Sequence, residues 1–183
     1  MLSAAAVLFV ALPWWVASRP APALEAAAPV VAIIDVQKVL RESTAVRSLA
    51  QTIGIQRDAY QKELRNKEKA LRNADRELMR QRTILAAEAF AKKRAELEQK
   101  VATLQREARE QKRRLDGLFG NGMAQVQNAL AEIAKEIAEE RGLDLVLSKA
   151  TVVLVKPKFE ITTEAVKRLN ARLSEVTLPA AQN

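Results

Sequence analysis

Residues 60–115 read YQKELRNKEKALRNADRELMRQRTILAAEAFAKKRAELEQKVATLQREAREQKRRL. Apolar residues recur in steps of three, four or seven, first at Tyr60, Leu64, Leu71, Ala74, Leu78 and Leu85, then at Phe90, Leu97, Val101, Leu104, Ala108 and Leu115. The two series mirror each other. Leu85 faces Phe90, Leu78 faces Leu97, Ala74 faces Val101, Leu71 faces Leu104 and Tyr60 faces Leu115, each pair of numbers adding to about 175. Heptads that reverse about one point predict an antiparallel coiled-coil hairpin with its tip near 86–88. At 1.5 Å per residue, arms of roughly 30 to 40 residues make a finger on the order of 45 to 60 Å long. Such a finger encloses no globular core, so its work is mechanical or done at its surface.

Outward from this stretch, the ascending series reaches back through Ile53, Ala50 and Val46 to Val39, with Ser43, Arg57, Lys67 and Gln81 as polar residues at apolar-phase positions. The mirror sets Gln81 against Arg94, Lys67 against Ala108 and Leu64 against Gln111, so the outer finger is expected to be weakly zipped. The descending series continues as Phe119, Met123, Val126, Leu130, Ile133 and Ile137, one residue out of phase. The slip falls in DGLFGNG, residues 116–122, which holds three of the five glycines. A kink or hinge at Gly117, Gly120 and Gly122 is the reading, because each glycine costs a helix roughly 1 kcal/mol relative to alanine. Pairing then resumes, with Ile53 against Met123, Val46 against Leu130 and Val39 against Ile137.

The flanks read as a small β body. Val30–Ile34 is a β-branched run that predicts a strand, followed by Asp35 as N-cap of a helix from Val36. Gly142 ends the long descending helix. Leu143–Leu147 and Thr151–Val155 predict two strands of a hairpin around Ser148-Lys149-Ala150, Phe159–Ile161 an edge piece, and Thr162 or Thr163 the cap of a last helix carrying Val166, Leu169 and Leu173. The fold class is therefore mainly α with a small β body. Its parts are a body from 29–43 and 133–178, a helical tentacle from 44–132, and a disordered tail at 179–183. A sheet this small, apolar on both faces, is expected to be completed by other copies in an obligate oligomer.

Residues 1–28 read as an address and a linker. Ala4–Val16 has the length of a secretory apolar region, small residues follow at Val16-Ala17-Ser18 and Ala21-Pro22-Ala23, and an Ala/Pro stretch leads to Pro29. No Lys or Arg precedes the apolar run, so either the true start lies upstream or the signal is atypical; an uncleaved anchor is the competing reading.

Composition narrows function. The chain has no Cys and no His, and neither GxxxxGK[ST] nor GxGxxG occurs. It is read as not an enzyme, without cofactor, metal site or nucleotide. Net charge is +8, and residues 57–114 hold all of the excess, with 18 Lys and Arg against 10 Asp and Glu. A basic finger on a neutral base predicts an anionic partner. The cluster nearest the tip, Arg80, Arg82, Lys92, Lys93 and Arg94, is the first candidate contact, and Lys112, Arg113 and Arg114 the second. Alternatives are a structural adaptor of the envelope and, against the export signal and without a recognisable motif, a nucleic-acid binder; no nucleic acid is expected.

The order of a signal peptide, VAIIDVQKVL, a long basic hairpin, IAKEIAEERGLDLVLSKATVVLV and ITTEAVKRLN resembles the Skp/OmpH family of periplasmic chaperones over roughly Val30 to Leu173. Ile133–Val155 is its most specific part. The resemblance implies a periplasmic homotrimer whose tentacles enclose unfolded outer-membrane proteins without ATP. It also implies lipopolysaccharide as a further partner, placed on no particular residue, while the two charge clusters are read as contacts for client or anionic lipid.

Overall fold

The computed structural model describes residues 28–178; the signal segment with most of the linker, and the tail at 179–183, lie outside them. The elements are β1 (Val31–Ile34), α1 (Val36–Glu42), α2 (Thr44–Arg80), α3 (Ala87–Arg141), β2 (Leu145–Ser148) and α4 (Thr162–Arg172), with 3₁₀ turns at Gln81–Thr83, Lys149–Thr151 and Pro157–Phe159. Helices α2 and α3 form the antiparallel hairpin, and everything else gathers at its root. The chain reverses over 81–86, a few residues before the expected 86–88, and Ala87 and Glu88 already belong to the first turn of α3.

Asp35 caps α1 as expected, its Oδ1 accepting the Lys38 N–H at 2.8 Å. The helix does not then run through to the finger. Ser43 is extended (φ −68°, ψ 128°) and caps α2 by accepting the Val46 N–H. Asn170 of α4 bridges the break, its Oδ1 accepting the Thr44 N–H at 2.9 Å while its Nδ2 donates to the Glu42 carbonyl. Those backbone groups would otherwise be orphaned helix ends. Gly142, at φ 59°, turns the chain out of α3 through the left-handed region.

The 55-residue α3 is continuous through 117–122. Its inward face is Leu115, Leu118, Gly122, Val126, Leu130, Ile133 and Ile137. Three steps of four follow one another in that series, where a heptad would set a three between fours, and the one added residue is absorbed by unwinding the supercoil locally while the helix stays intact. Phe119, expected on the inward face, is on the outside and 40% exposed. Gly122 is a point of close approach. A Cβ there would lie 2.6 Å from Leu49 Cδ2 and 3.2 Å from Val176 Cγ1, whereas Gly117 and Gly120 meet nothing within 4 Å.

The expected β hairpin is not formed. β2 pairs in parallel with β1, Val31 opposite Leu145 and Ile34 opposite Ser148, and a single bridge from Ile33 to Glu160 adds the edge. A parallel pair needs a long crossover, and here the whole finger is that crossover. The 3₁₀ turn after Ser148 sends 152–155 away from the sheet, leaving Val153 and Leu154 fully exposed. Thr162 does not cap α4 by its side chain either: it is buried, and its Oγ1 accepts the Asp35 N–H beyond the end of β1. The core joins Val39, Ala45, Val126, Ile133, Ile137, Ala165 and Leu169 beneath β1. Above it Leu49, Ile53 and Leu115 pack with Val176 and Leu178 of the irregular segment after α4.

Candidate functional site

The finger beyond Ile53 and Leu115 is held differently from its root. Between 56 and 114 only Leu78 and Leu104 are buried, as the polar residues on the seam led one to expect. One ion pair crosses between the arms, Lys67 to Glu107 at 3.4 Å, and Lys67 also takes Glu63 at 2.9 Å. These two carboxylates, Glu63 foremost, raise the Lys67 ammonium above the ordinary lysine value. Lys67 thus meets Glu107 rather than Ala108, and Gln81 accepts from Lys93 rather than meeting Arg94.

All eight candidate cations are exposed. At the tip, Arg80 pairs with Glu77 at 3.6 Å and Arg94 with Glu98 at 3.0 Å. Lys93 donates to Gln81 across the turn, and neither Arg82 nor Lys92 has a carboxylate within 4.0 Å. Lys112, Arg113 and Arg114 are likewise without an ion pair, about 27 Å down α3 from Arg94, so the two clusters are separate. Within α2, Glu63 pairs with Lys67 and Glu68 with Arg72 at i, i+4, whereas Glu96 and Lys100 at the same spacing in α3 stay apart. Among the 18 finger cations only Lys67, Arg72, Arg80 and Arg94 reach a carboxylate. The surplus charge is therefore presented to solvent rather than spent on zipping the arms.

Two features of the finger were not read from the sequence. The first is a stripe on α2: Lys62, Arg65, Lys69, Arg72, Arg76 and Arg80, stepping by three or four, all exposed, two residues out of phase with the seam. Glu63, Glu68, Asp75 and Glu77 of the same span fall at other phases, although Glu68 and Glu77 reach Arg72 and Arg80 from its borders, so this face is predominantly cationic for about 27 Å. The step of three and four was its signal, masked by attention to the apolar phase. The second is the seam itself, which is open on both sides of the hairpin. On one side lies a groove of about 750 Å³ floored by Leu64, Leu71, Leu97, Val101, Leu104 and Ala108. The other side is crossed by the Lys67–Glu107 pair and by Lys93 with Gln81. Small residues at Ala102 and Ala108 leave the first groove unfilled.

Among the described residues no group of acidic side chains could hold a metal ion, and no helix is long and apolar enough to cross a membrane. A solvated two-helix tentacle on a small mixed α/β root, with open grooves and unpaired cations, defines a tentacled architecture. The sequence profile of the family described as "Outer membrane protein (OmpH-like)" matches residues 30–169, and the chain belongs to that family. The fold is also that of a crystal structure from Caulobacter crescentus CB15, provisionally described as an OmpH-like outer membrane chaperone. The two superpose with a TM-score of 0.76 at 21% identity, over 86% of this chain and 95% of that one. Among curated proteins none matches the sequence.

Proposed function

We propose that this protein is an ATP-independent holdase chaperone that keeps unfolded outer-membrane β-barrel proteins from aggregating in the periplasm, to which an N-terminal signal peptide exports it. The observation that carries the reading is the finger's surface: most of its cations are unpaired beside an apolar seam left open. A β-barrel chain before membrane insertion has alternating apolar side chains and unpaired strand edges, which aggregate in water. Many contacts, each worth a fraction of a kcal/mol, hold such a chain by avidity without dictating its sequence. Arg80, Arg82, Lys92, Lys93 and Arg94, then Lys112, Arg113 and Arg114, contact client or anionic lipid, lipopolysaccharide included.

The working unit is a homotrimer. The full exposure of Val153 and Leu154, together with the half-exposed Leu145 of β2, supports burial of these residues against other copies. Gly117, Gly120 and Gly122 act as the flexure that adapts the enclosed space to its client. Gly54 of α2 lies opposite Asn121 in the mirrored register, between Gly120 and Gly122, which supports bending of both arms at one level. The test is dilution of several unrelated β-barrel proteins from urea without nucleotide, with aggregation followed by light scattering. Suppression across clients is expected. Failure with every client, or stoichiometric capture of one partner alone, overturns the proposal in favour of a structural adaptor.

A further inference from the structure

We infer that the inter-arm groove at the middle of the finger, on the side bordered by Arg72 and Arg76, is the seat for an extended segment whose apolar side chains alternate with acidic ones. The inference rests on the holdase reading and moves the principal contact from the tip to the middle of one face. Its first ground is that the two sides of the hairpin are not equivalent. One is crossed by Lys67–Glu107 and Lys93–Gln81, which any occupant would have to displace, while the other has an apolar floor with no polar crossing. Val101, 38% exposed, is part of that floor.

The second ground is charge. Arg72 and Arg76 belong both to the groove wall and to the stripe of α2, so the apolar floor and the cationic face meet along one edge. The groove also has carboxylates in its walls: Arg72 and Glu68 pair with each other and Glu98 with Arg94, which leaves Asp75 against Arg76 and the unpaired cations of the neighbouring stripe. Lys62, Arg65, Lys69 and Arg76 of the stripe have no carboxylate within 4.0 Å. From Leu64 to Arg76 the groove runs about 18 Å along α2. A strand advances about 3.3 Å per residue and returns to the same face every second residue, so three successive apolar side chains span the floor. The alternate side chains then point away from it, and acidic ones can lean to the stripe. A segment in helical conformation would place its apolar residues about 5 Å apart on a stripe of its own, with no reason for its charges to reach α2.

The test uses the whole protein and fluorescent 12-residue peptides, measured by anisotropy: one alternating Val or Tyr with Glu, one with the same composition in blocks, one with Lys in place of Glu. The alternating acidic peptide is expected to bind best. Val101→Gln and the double change R72E/R76E are each expected to weaken it about 5-fold or more, while Ala70→Gln, on the other side of the seam, leaves it within 2-fold. Circular dichroism confirms that each variant is folded, and the substituted residues are exposed. Equal binding of the block peptide overturns the seat, as does equal weakening by Ala70→Gln. Loss of self-association in Val101→Gln assigns the groove to a second copy and likewise overturns it. The same variants in the urea-dilution assay separate the two proposals. Undiminished suppression by Val101→Gln and R72E/R76E rejects the groove and spares the holdase; peptide binding by a protein that suppresses no aggregation does the reverse.

Discussion

The root and the outer finger are built from the same two helices yet stabilised in different ways. At the root, cations bridge separate elements. Arg168 grips Glu140 through both nitrogens, at 2.7 and 2.5 Å, and also takes Glu164, while Arg172 holds Glu136 and Arg141 reaches Glu164. Beneath these bridges α3 buries Val126, Ile133 and Ile137 completely. In the finger the helices stay side by side with a single crossing ion pair and a half-open seam. The difference is one of means: apolar burial fixes geometry at the base, and beyond it most cations are left without partners.

Core truncation gives the strongest way to break this comparison. Ile133→Ala is expected to lower stability by about 3 kcal/mol in urea unfolding, Leu71→Ala by about 1 kcal/mol or less, since Leu71 is only half-buried. Equal losses would mean that the finger is as tightly packed as the root. Glycine replacement sharpens the boundary between them. Gly122→Ala should destabilise by roughly 1–3 kcal/mol, because the added methyl has no room against Leu49, whereas Gly117→Ala and Gly120→Ala should each stabilise by about 0.5–1 kcal/mol. A triple change would therefore confuse packing with flexibility. Only the exposed pair tests the flexure, read as hydrogen exchange across 111–121 and as client affinity.

Smaller effects follow from the charges. Client affinity should fall several-fold between about 50 and 300 mM salt, because exposed charges are screened, while the urea midpoint changes little. Acid acts on the root. Arg172 lowers the Glu136 pKa and Arg168 that of Glu140. Depressed carboxylates contribute stability that is fully present above their unfolded value near 4.5 and is lost as pH falls through the folded value. The urea midpoint should therefore decline on acidification below about pH 4.5, and Glu140→Gln should blunt that decline. An identical acid profile in Glu140→Gln would count against a bridging role for Arg168.

The hairpin was legible because heptads carry their register in the numbers alone, and Leu71 does sit across from Leu104 on the groove floor. The break at Ser43 was hidden by the same signal, since Val39 and Val46 keep phase across it. The body was less legible. An apolar run such as Leu143–Leu147 announces a strand but not its partner, and the sequence-adjacent run at 151–155 was a worse partner than β1, more than a hundred residues away. The charge clusters were visible, but which cations lack carboxylates depends on rotamers and helix phase. The stripe could be counted from its spacing, whereas the groove and the difference between the two sides of the seam needed three dimensions.

The connection between β1 and β2 also bears on how the molecule folds. Val31 and Leu145 must meet across 114 residues, a loop whose closure from an open chain would be slow. If the arms zip first, from contacts a few residues apart at the tip, Thr44 is carried back toward the far end of α3 before the strands pair. The remaining ring to close is then only a short one. By this route the part of the molecule that contributes least to its final stability sets the rate at which the stable part forms.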